Sequence, residues 1–511
     1  MTMSIHFLDL PPEILILILC HLDLPTLTSC LATNRRVKSI IDGSTLLQYR
    51  LAAQAACVED NPWNLKLDSA HKLAALRKRQ AAFAESFSTH ICHTIELDDP
   101  FDCYALSGSI FVMTERNSKT LRWCSLTTNQ PVFQTLKFSE SIWFISLALP
   151  EEDLMVVILT LKFMSDALQN QDGTPNVTVK LCFYELSTQS AHRMAREPVL
   201  HLSIPEDPEP DFHVDICDSR VVLLIDYNDA KNRVLVYDWK QGRLLMEFPG
   251  GYLTPTFLSL DVMLLTQKGT GALELWTIQD SAPVAGPDIF LKLPQLATTG
   301  NYYAITKVEA IPKGHASSSS HSPFHTSFVD SIVALDVYVQ VAGDVPVKML
   351  LVISRRALLQ LLPSAKERGN ELWWREWGPS NAHWLNHWPT ITCGTRFASV
   401  ELQPLGCRLR LFDFNPLAYK QLAGRGALAN TAMSVLSGTQ NRARDIAGLF
   451  DEELGSQLGY LVLESDKNVY YDGVLLDDEW IVGIKESLDG HISLDLRRLG
   501  DPLTYLSGVH A

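Results

Sequence analysis

The chain opens with a short helical segment that is apolar on nearly every side, and this segment limits what the chain can fold into. After Pro11 and Pro12, residues 14–19 alternate isoleucine and leucine without a polar residue. Proline suits the first turn of a helix, because the N–H it lacks would have no partner there. Glu13 complements the positive end of the helix dipole. A domain of about 45 residues has too small a core to cover such a helix on all sides. We therefore expect the helix to dock on another surface.

The segment that follows predicts a second helical stretch after a break. The helical pattern of the first segment ends at Asp23. It resumes after Pro25 and continues to Asn34-Arg35-Arg36. Within the first helix, the apolar residues spaced at i, i+1, i+4 and i+8 form one stripe. They are Ile14, Leu15, Ile18 and Leu22.

This pattern resembles the F-box, a small three-helix domain that begins with Leu-Pro-x-Glu-Ile-Leu. The resemblance extends from about Ser4 to Leu51, with Val37 at a position where the family usually has tryptophan. It implies binding to the small adaptor subunit of SCF-type (cullin-RING) ubiquitin ligases, and through that adaptor to the cullin. The residues that it implies for adaptor binding are Leu10, Pro11, Ile14, Leu15, Ile18, Leu22, Pro25 and Leu27. A signal peptide is disfavoured, because the segment carries Asp9 and Glu13 and lacks a basic start.

The composition is that of a globular protein of two or three domains. The 511 residues are 46% hydrophobic and 20% charged, with a formal net charge of −15. This charge argues against nucleic acid as the main partner. The ten cysteines are scattered without a C-x-x-C pair, which is typical of a reducing compartment, the cytoplasm or the nucleus. No apolar run reaches the ~18 residues of a membrane span. We expect no membrane partner.

Residues 52–89 are interpreted as a linker that contains one helix. Asp68 or Ser69 can cap this helix, and Leu73, Leu76 and Phe83 form an apolar stripe along it. The segment resembles the linker of fungal F-box proteins, in which a Leu-x-x-Leu-Arg-x-Arg helix precedes a large domain. Two interpretations remain open: the helix fixes the F-box against the next domain, or it completes the core of the F-box.

From residue 90 to 511 the spacing of the apolar residues changes from a helical period to alternation. One unit recurs, in which alternating apolar residues with an aromatic are followed by a polar turn, and this is typical of a strand in a hairpin. Its copies lie at 121–126, 181–186, 234–239, 273–278 and 409–414, and the gap after 278 leaves room for two more.

Hairpin units that recur every ~40–60 residues indicate the blades of a β-propeller. The irregular spacing favours a divergent, WD-repeat-like propeller of six to eight blades. A pair of β-sandwiches is the alternative, although the predicted strands extend over more residues than one sandwich contains. The predicted fold class is therefore multidomain: a small all-α F-box and a linker helix, then a large all-β propeller. We expect the last strand, around Ile492–Leu496, to close the ring or to pack beside the first blade.

The sequence contains no recognisable catalytic motif, cofactor motif or metal motif, so we predict a non-catalytic protein without cofactors. His383 and His387 have the spacing of helical metal ligands, but the glutamate of H-E-x-x-H is absent. Tryptophans are densest around these histidines. We expect Trp373, Trp377, Trp384 and Trp388 to contact a substrate or, alternatively, to pack in a blade.

Two functions remain. In the first, the F-box binds the ligase adaptor and the propeller recruits an unknown protein substrate for ubiquitination. In the second, the F-box-like segment packs on its own propeller, and the chain is an interaction scaffold outside ubiquitin ligation. An exposed stripe of Ile14, Ile18 and Leu22 favours the first, and a covered stripe favours the second.

Overall fold

The structure is a computed structural model, and part of the chain is described in it. The described residues are 7–61, 67–86, 91–97, 101, 103–115, 117–128, 131–161, 176–205, 210–227, 231–279, 286–297, 300–310, 323–341, 345–387, 389, 391–403, 406–417, 433–436, 449–452, 454–487 and 489–499. Among them, no helix combines the length and the apolar character needed to cross a membrane.

The amino-terminal domain is helical. A 3₁₀ turn at Phe7–Asp9 precedes helices α1 (Pro12–Leu19), α2 (Leu24–Thr33), α3 (Arg35–Gly43) and α4 (Thr45–Ala55). Side-chain caps explain where these helices begin. The Asp23 carboxylate accepts the Thr26 N–H at 2.9 Å, and the Asn34 amide oxygen accepts the Arg36 N–H at 2.8 Å. Ser44 caps α4, which is one helix more than the three predicted.

One small core holds these helices together. Its buried members are Leu19, Leu27, Val37, Ile41 and Leu47. Val37 therefore fills the core at the position where the F-box usually has tryptophan, and it is 6% exposed.

The linker contains strand β1 (Val58–Asp60) and helix α5 (Ser69–Ser86). Strand β1 pairs antiparallel with strand β22 (Phe324–Thr326), a short strand that belongs to the large domain. A second cluster joins α4, α5 and this strand, with Tyr49, Leu73 and Phe324 buried in it. Helix α5 therefore packs both on α4 and on a segment of the large domain.

The large domain is a propeller of seven antiparallel blades, within the predicted range of six to eight. Blade 1 contains β3 (Cys103–Ser107), β4 (Ile110–Thr114), β5 (Thr120–Ser125) and β6 (Gln134–Lys137). Blade 2 contains β7 (Ser141–Ala148), helix α6 (Leu149–Glu152), β8 (Leu154–Leu161), β9 (Asn176–Glu185), β10 (Ser190–Ala191) and β11 (Val199–Pro205). Blade 3 contains β12 (Asp211–Cys217), β13 (Arg220–Asp226), β14 (Arg233–Asp238) and β15 (Arg243–Pro249).

Blades 4 and 5 are linked by an insertion. Blade 4 contains β16 (Tyr252–Ser259), β17 (Val262–Gln267), β18 (Ala272–Thr277) and β19 (Ile289–Lys292). Blade 5 contains β20 (Gly300–Lys307), β23 (Ile332–Val341), β24 (Val347–Ser354) and β26 (Ala382–Leu385). Between its last two strands lie α7 (Arg355–Arg368), β25 (Glu371–Leu372) and α8 (Trp374–Asn381). Strand β25 adds to blade 4, parallel to β19.

Blades 6 and 7 complete the ring. Blade 6 contains β27 (Ile391–Cys393), β28 (Arg396–Gln403), β29 (Gly406–Asp413) and β31 (Tyr460–Val469), with β21 (Glu309–Ala310) and β30 (Met433–Leu436) at its edges. Blade 7 contains β32 (Gly473–Leu476), β33 (Trp480–Glu486), β34 (Ile492–Arg498) and β2 (His93–Leu97). The predicted closure is confirmed: the first strand of the domain pairs with the last, from His93 opposite Leu496 to Leu97 opposite Ile492.

The repeated sequence unit marks the third strand of its blade in every copy. The copies fall on β5, β9, β14, β18 and β29. The expectation of two more copies between 278 and 409 was wrong. That stretch contains the third strand of one blade only, β24 of blade 5, because the helical insertion and the segment around β22 take up the length that a second blade would need.

Candidate adaptor-binding face and its attachment to the propeller

Helix α1 presents an apolar face to solvent. Leu15 and Leu19 point into the domain and are at most 2% exposed. On the other side, Ile14, Leu17 and Ile18 are 43%, 59% and 38% exposed. The spacing i, i+3, i+4 places these three side chains together on one face of the helix. We call this set the α1 face. Contiguous exposed apolar side chains on a small domain mark an interaction site.

The structure places the other residues proposed for adaptor binding in different surroundings. Pro11 is exposed, and Leu10 and Leu22 are half-buried. Leu15 and Leu27 are buried, so they support the α1 face from within and offer no surface of their own. The side chain of Pro25 lies outside the described residues.

Leu17 was not among the residues proposed from the sequence. Its distance of three residues from Ile14 was the available signal, but residues 14–19 are all isoleucine or leucine, so periodicity alone could not tell the exposed face from the buried one.

The helical domain is attached to the propeller first through the β1–β22 ladder. The Ser327 N–H donates to the Cys57 carbonyl at 2.8 Å, and the Ser327 hydroxyl donates to the Glu59 carboxylate at 2.7 Å. The Asn415 side chain of blade 6 donates to the Ala55 carbonyl, at the end of α4, at 2.7 Å. Backbone pairing together with these bonds fixes the orientation of α4 relative to the propeller.

The second attachment is an ion pair between α5 and blade 7. The Arg79 guanidinium lies 3.2 Å from the Asp478 carboxylate and 5.4 Å from the centre of the Phe324 ring. Burial raises the pKa of Asp478, but the charge of Arg79 and a hydrogen bond from Thr326 outweigh it and hold the pKa below its usual value. Asp478 therefore stays ionised and joins the linker helix, strand β22 and the last blade.

The tryptophan cluster lies mainly in the interior. Trp377 is fully buried, and its indole N–H donates to the Lys292 carbonyl at 2.9 Å. Trp384 is 5% exposed and belongs to the same core. Burial leaves these two side chains no surface for a substrate, so the packing interpretation applies to them. Trp373 is 55% exposed and retains the proposed contact role, whereas Trp388 lies outside the described residues.

The two histidines of this region lie in aromatic surroundings. Burial lowers the pKa of His383 to about 4, and its ring centre lies 4.9 Å from that of Tyr460. Burial and the nearby Arg410 lower the pKa of His387 to about 4, and its ring packs on Phe412 at 4.6 Å. Within the described part of the chain, no group of three histidine, cysteine or acidic residues is placed to hold a metal ion.

Residues 7–49 match the F-box domain. Among curated proteins, no sequence matches the chain. The solved structures that it is similar to include the WD40 domain of Toxoplasma gondii coronin, at 8% identity and a TM-score of 0.38, covering 80% of this chain and 86% of that one. A chain of the mitotic checkpoint complex matches at 8% identity and a TM-score of 0.37, covering 80% and 94%. The WD40 domain of SCAP from fission yeast matches at 7% identity and a TM-score of 0.29, covering 76% and 82%.

The chain thus combines an F-box domain with a seven-bladed propeller. F-box domains generally bind Skp1-type adaptors, and this combination is typical of non-catalytic adaptor proteins.

Proposed function

We propose that this protein is a substrate-receptor subunit of an SCF-type ubiquitin ligase. Its F-box binds the ligase adaptor, and through the adaptor the cullin, while the propeller holds a protein substrate. We place it in the cytoplasm, the nucleus or both. It performs no chemistry itself. Its mechanism is proximity: it raises the effective concentration of substrate lysines at the ubiquitin-charged enzyme.

The observation that carries this proposal is the exposure of the α1 face. The scaffold alternative requires the propeller to cover this helix. The described residues of the propeller instead contact the other end of the helical region, at α4, β1 and α5, and leave Ile14, Leu17 and Ile18 open to solvent.

The attachment of the F-box supports the same function. A receptor that works by proximity benefits from a fixed distance between its two binding surfaces, because effective concentration falls when a linker is long and flexible. Here the β1–β22 ladder and the Arg79–Asp478 pair replace a free linker with direct contacts between the domains.

The experiment is co-purification of the adaptor with full-length variants. Ile14→Asp and Ile18→Asp should each abolish adaptor binding, because burying an unpaired carboxylate in an interface costs several kcal/mol. Ile18→Val is the matched control, since it keeps the face apolar and should keep binding. Circular dichroism establishes that each variant is folded. Adaptor recovery at the wild-type level with both aspartate variants would refute the proposal.

A further inference from the structure

Helix α3 carries three exposed basic side chains, Arg35, Arg36 and Lys38, which we call the α3 patch. Within the described residues, no carboxylate forms an ion pair with any of the three. The propeller treats an exposed arginine differently: the Arg193 side chain is 80% exposed and still lies 3.2 Å from the Glu185 carboxylate. The α3 patch is therefore a concentration of positive charge that the chain itself leaves open.

These charges are placed where they disfavour the helix. Helix α3 begins at Arg35, so Arg35 and Arg36 lie at the positive end of its dipole, in a turn that contains no acidic residue. Arg35 and Lys38 are three positions apart, where like charges repel. The helix start does not need them, because the Asn34 side chain already accepts the N–H groups of Arg36 and Val37. A local arrangement that costs helix stability without a compensating contact is expected at a functional surface.

The α3 patch lies near the α1 face. Helices α1 and α3 pack on each other, and Leu19 of α1 shares a core with Val37 and Ile41 of α3. A helix of nine residues is about 13.5 Å long and about 10 Å across, so the patch lies within about 25 Å of the α1 face. Charges act over about 30 Å in about 0.01 M salt. The field of the patch therefore reaches a partner that approaches the α1 face.

Charge is divided unevenly between the two parts of the chain. Residues 1–89 contain nine basic and eight acidic residues, a formal charge of +1, so residues 90–511 carry −16 of the total of −15. An acidic partner is repelled by the propeller and attracted by the α3 patch. This difference directs such a partner to the helical domain.

We infer that the α3 patch steers an acidic surface of the ligase adaptor onto the α1 face. The inference rests on the proposed receptor function and adds the charge of the adaptor surface that this site selects. The α1 face supplies the apolar contact that holds the complex together. The patch increases the rate at which the complex forms, because charges at the rim of an interface act mainly on association.

The test measures the rate at which the full-length protein associates with a purified Skp1-type adaptor, in about 0.01 M and about 1 M salt. Between these concentrations the screening length falls from about 30 Å to about 3 Å. The triple variant Arg35→Glu, Arg36→Glu, Lys38→Glu should associate at least about ten-fold more slowly than wild type at low salt, and equally fast at high salt. Its melting temperature should not fall, because glutamates suit the first turn of a helix. Glutamine at the same three positions gives a second variant, with an intermediate rate.

The matched control is the triple variant Lys119→Glu, Lys137→Glu, Arg375→Glu. These three side chains are exposed on the propeller, and the control changes the net charge by the same amount. It should slow association at low salt by no more than about two-fold, because the changed charges belong to the other domain.

Three results would overturn the inference: equal rates of wild type and the α3 variants at low salt, a slowing that persists at high salt, or equal slowing in the control. The two proposals fail in different ways. If the adaptor binds wild type but not Ile14→Asp, and the α3 variants associate at the wild-type rate, only the steering is refuted. If the adaptor does not bind wild type at all, the receptor function is refuted and the steering with it.

Discussion

The Thr94 hydroxyl donates a hydrogen bond of 2.7 Å to the Asp495 carboxylate, across 401 positions of the chain. Thr94 lies on β2 and Asp495 directly opposite it on β34, so the bond connects the first and last strands of the ring. Asp495 also accepts the Tyr471 hydroxyl at 3.1 Å and pairs with Lys485. Closure of the propeller therefore depends on side chains as well as on the backbone ladder.

Deleting residues 489–511 should open the ring. The deletion removes β34 and leaves both β2 and β33 without their shared neighbour, and unpaired strand edges promote aggregation. We expect a lower melting temperature and aggregates on size-exclusion chromatography. Deletion of 500–511 is the control, because it keeps β34 and should keep the wild-type melting temperature. A soluble protein with unchanged melting after the longer deletion would be incompatible with a ring closed by β34.

Asp495 should also contribute to acid sensitivity. Burial raises its pKa, but Lys485, Thr94 and Tyr471 outweigh burial and hold the pKa below the usual value of 3.8. The unfolded chain then binds more protons than the folded one near that value. Stability from Asp495 is therefore complete above pH 3.8 and is lost as the pH falls through the lowered pKa.

Asp495→Asn should reduce the free energy of unfolding at neutral pH by about 1.5–3 kcal/mol, the usual contribution of hydrogen bonds to a charged group. The stability that Asp495 gives the wild-type protein should decrease as the solution is acidified. Urea unfolding at pH 7 and at pH 3 measures both effects. If the free energies of unfolding of wild type and variant differed by the same amount at both pH values, the role assigned to the Asp495 carboxylate would be contradicted.

Arg79→Ala should loosen the linker helix without unfolding the propeller. The variant removes the ion pair with Asp478 and the contact with Phe324, but Asp478 is 43% exposed, so we expect a loss of only about 1 kcal/mol. Hydrogen exchange should quicken in α5 and β1 and stay unchanged in blade 3. Arg77→Ala is the matched control, because the Arg77 guanidinium donates to the Gln48 side chain of the helical domain at 3.2 Å. Equal exchange in the two variants would show that the ion pair does not hold the helix.

The features that could be predicted from sequence are those with local signals. Pro12 and the cap at Asp23 act within one helical turn, so the predicted break at Asp23 is confirmed, whereas the second break, at Asn34, was not predicted. The repeated strand unit was recognisable because most of its apolar and aromatic residues are buried in the blades, and the polar turn that follows it is a local signal.

What could not be predicted depends on contacts between distant segments. The pairing of β1 with β22 joins residues more than 260 positions apart, and neither strand exceeds three residues. The helices α7 and α8 interrupt blade 5, so the region between the fourth and fifth copies of the repeated unit contains one third strand and not the two for which it had room. Aromatic content alone did not separate exposed Trp373 from buried Trp377, four residues along the chain, because the turn into α8 decides which side chain faces the core.

These two tryptophans provide a matched pair for the last prediction. Trp377→Ala should reduce the free energy of unfolding by about 3–5 kcal/mol, because it opens a cavity and leaves the Lys292 carbonyl without its indole donor. Trp373→Ala should change it by no more than about 0.5 kcal/mol, since the side chain is mostly in solvent. Urea unfolding followed by circular dichroism measures both. If Trp373 contacts the substrate, its variant alone should combine wild-type stability and adaptor binding with weaker substrate co-purification. A large loss of stability in Trp373→Ala would instead place that side chain in the core with its neighbours.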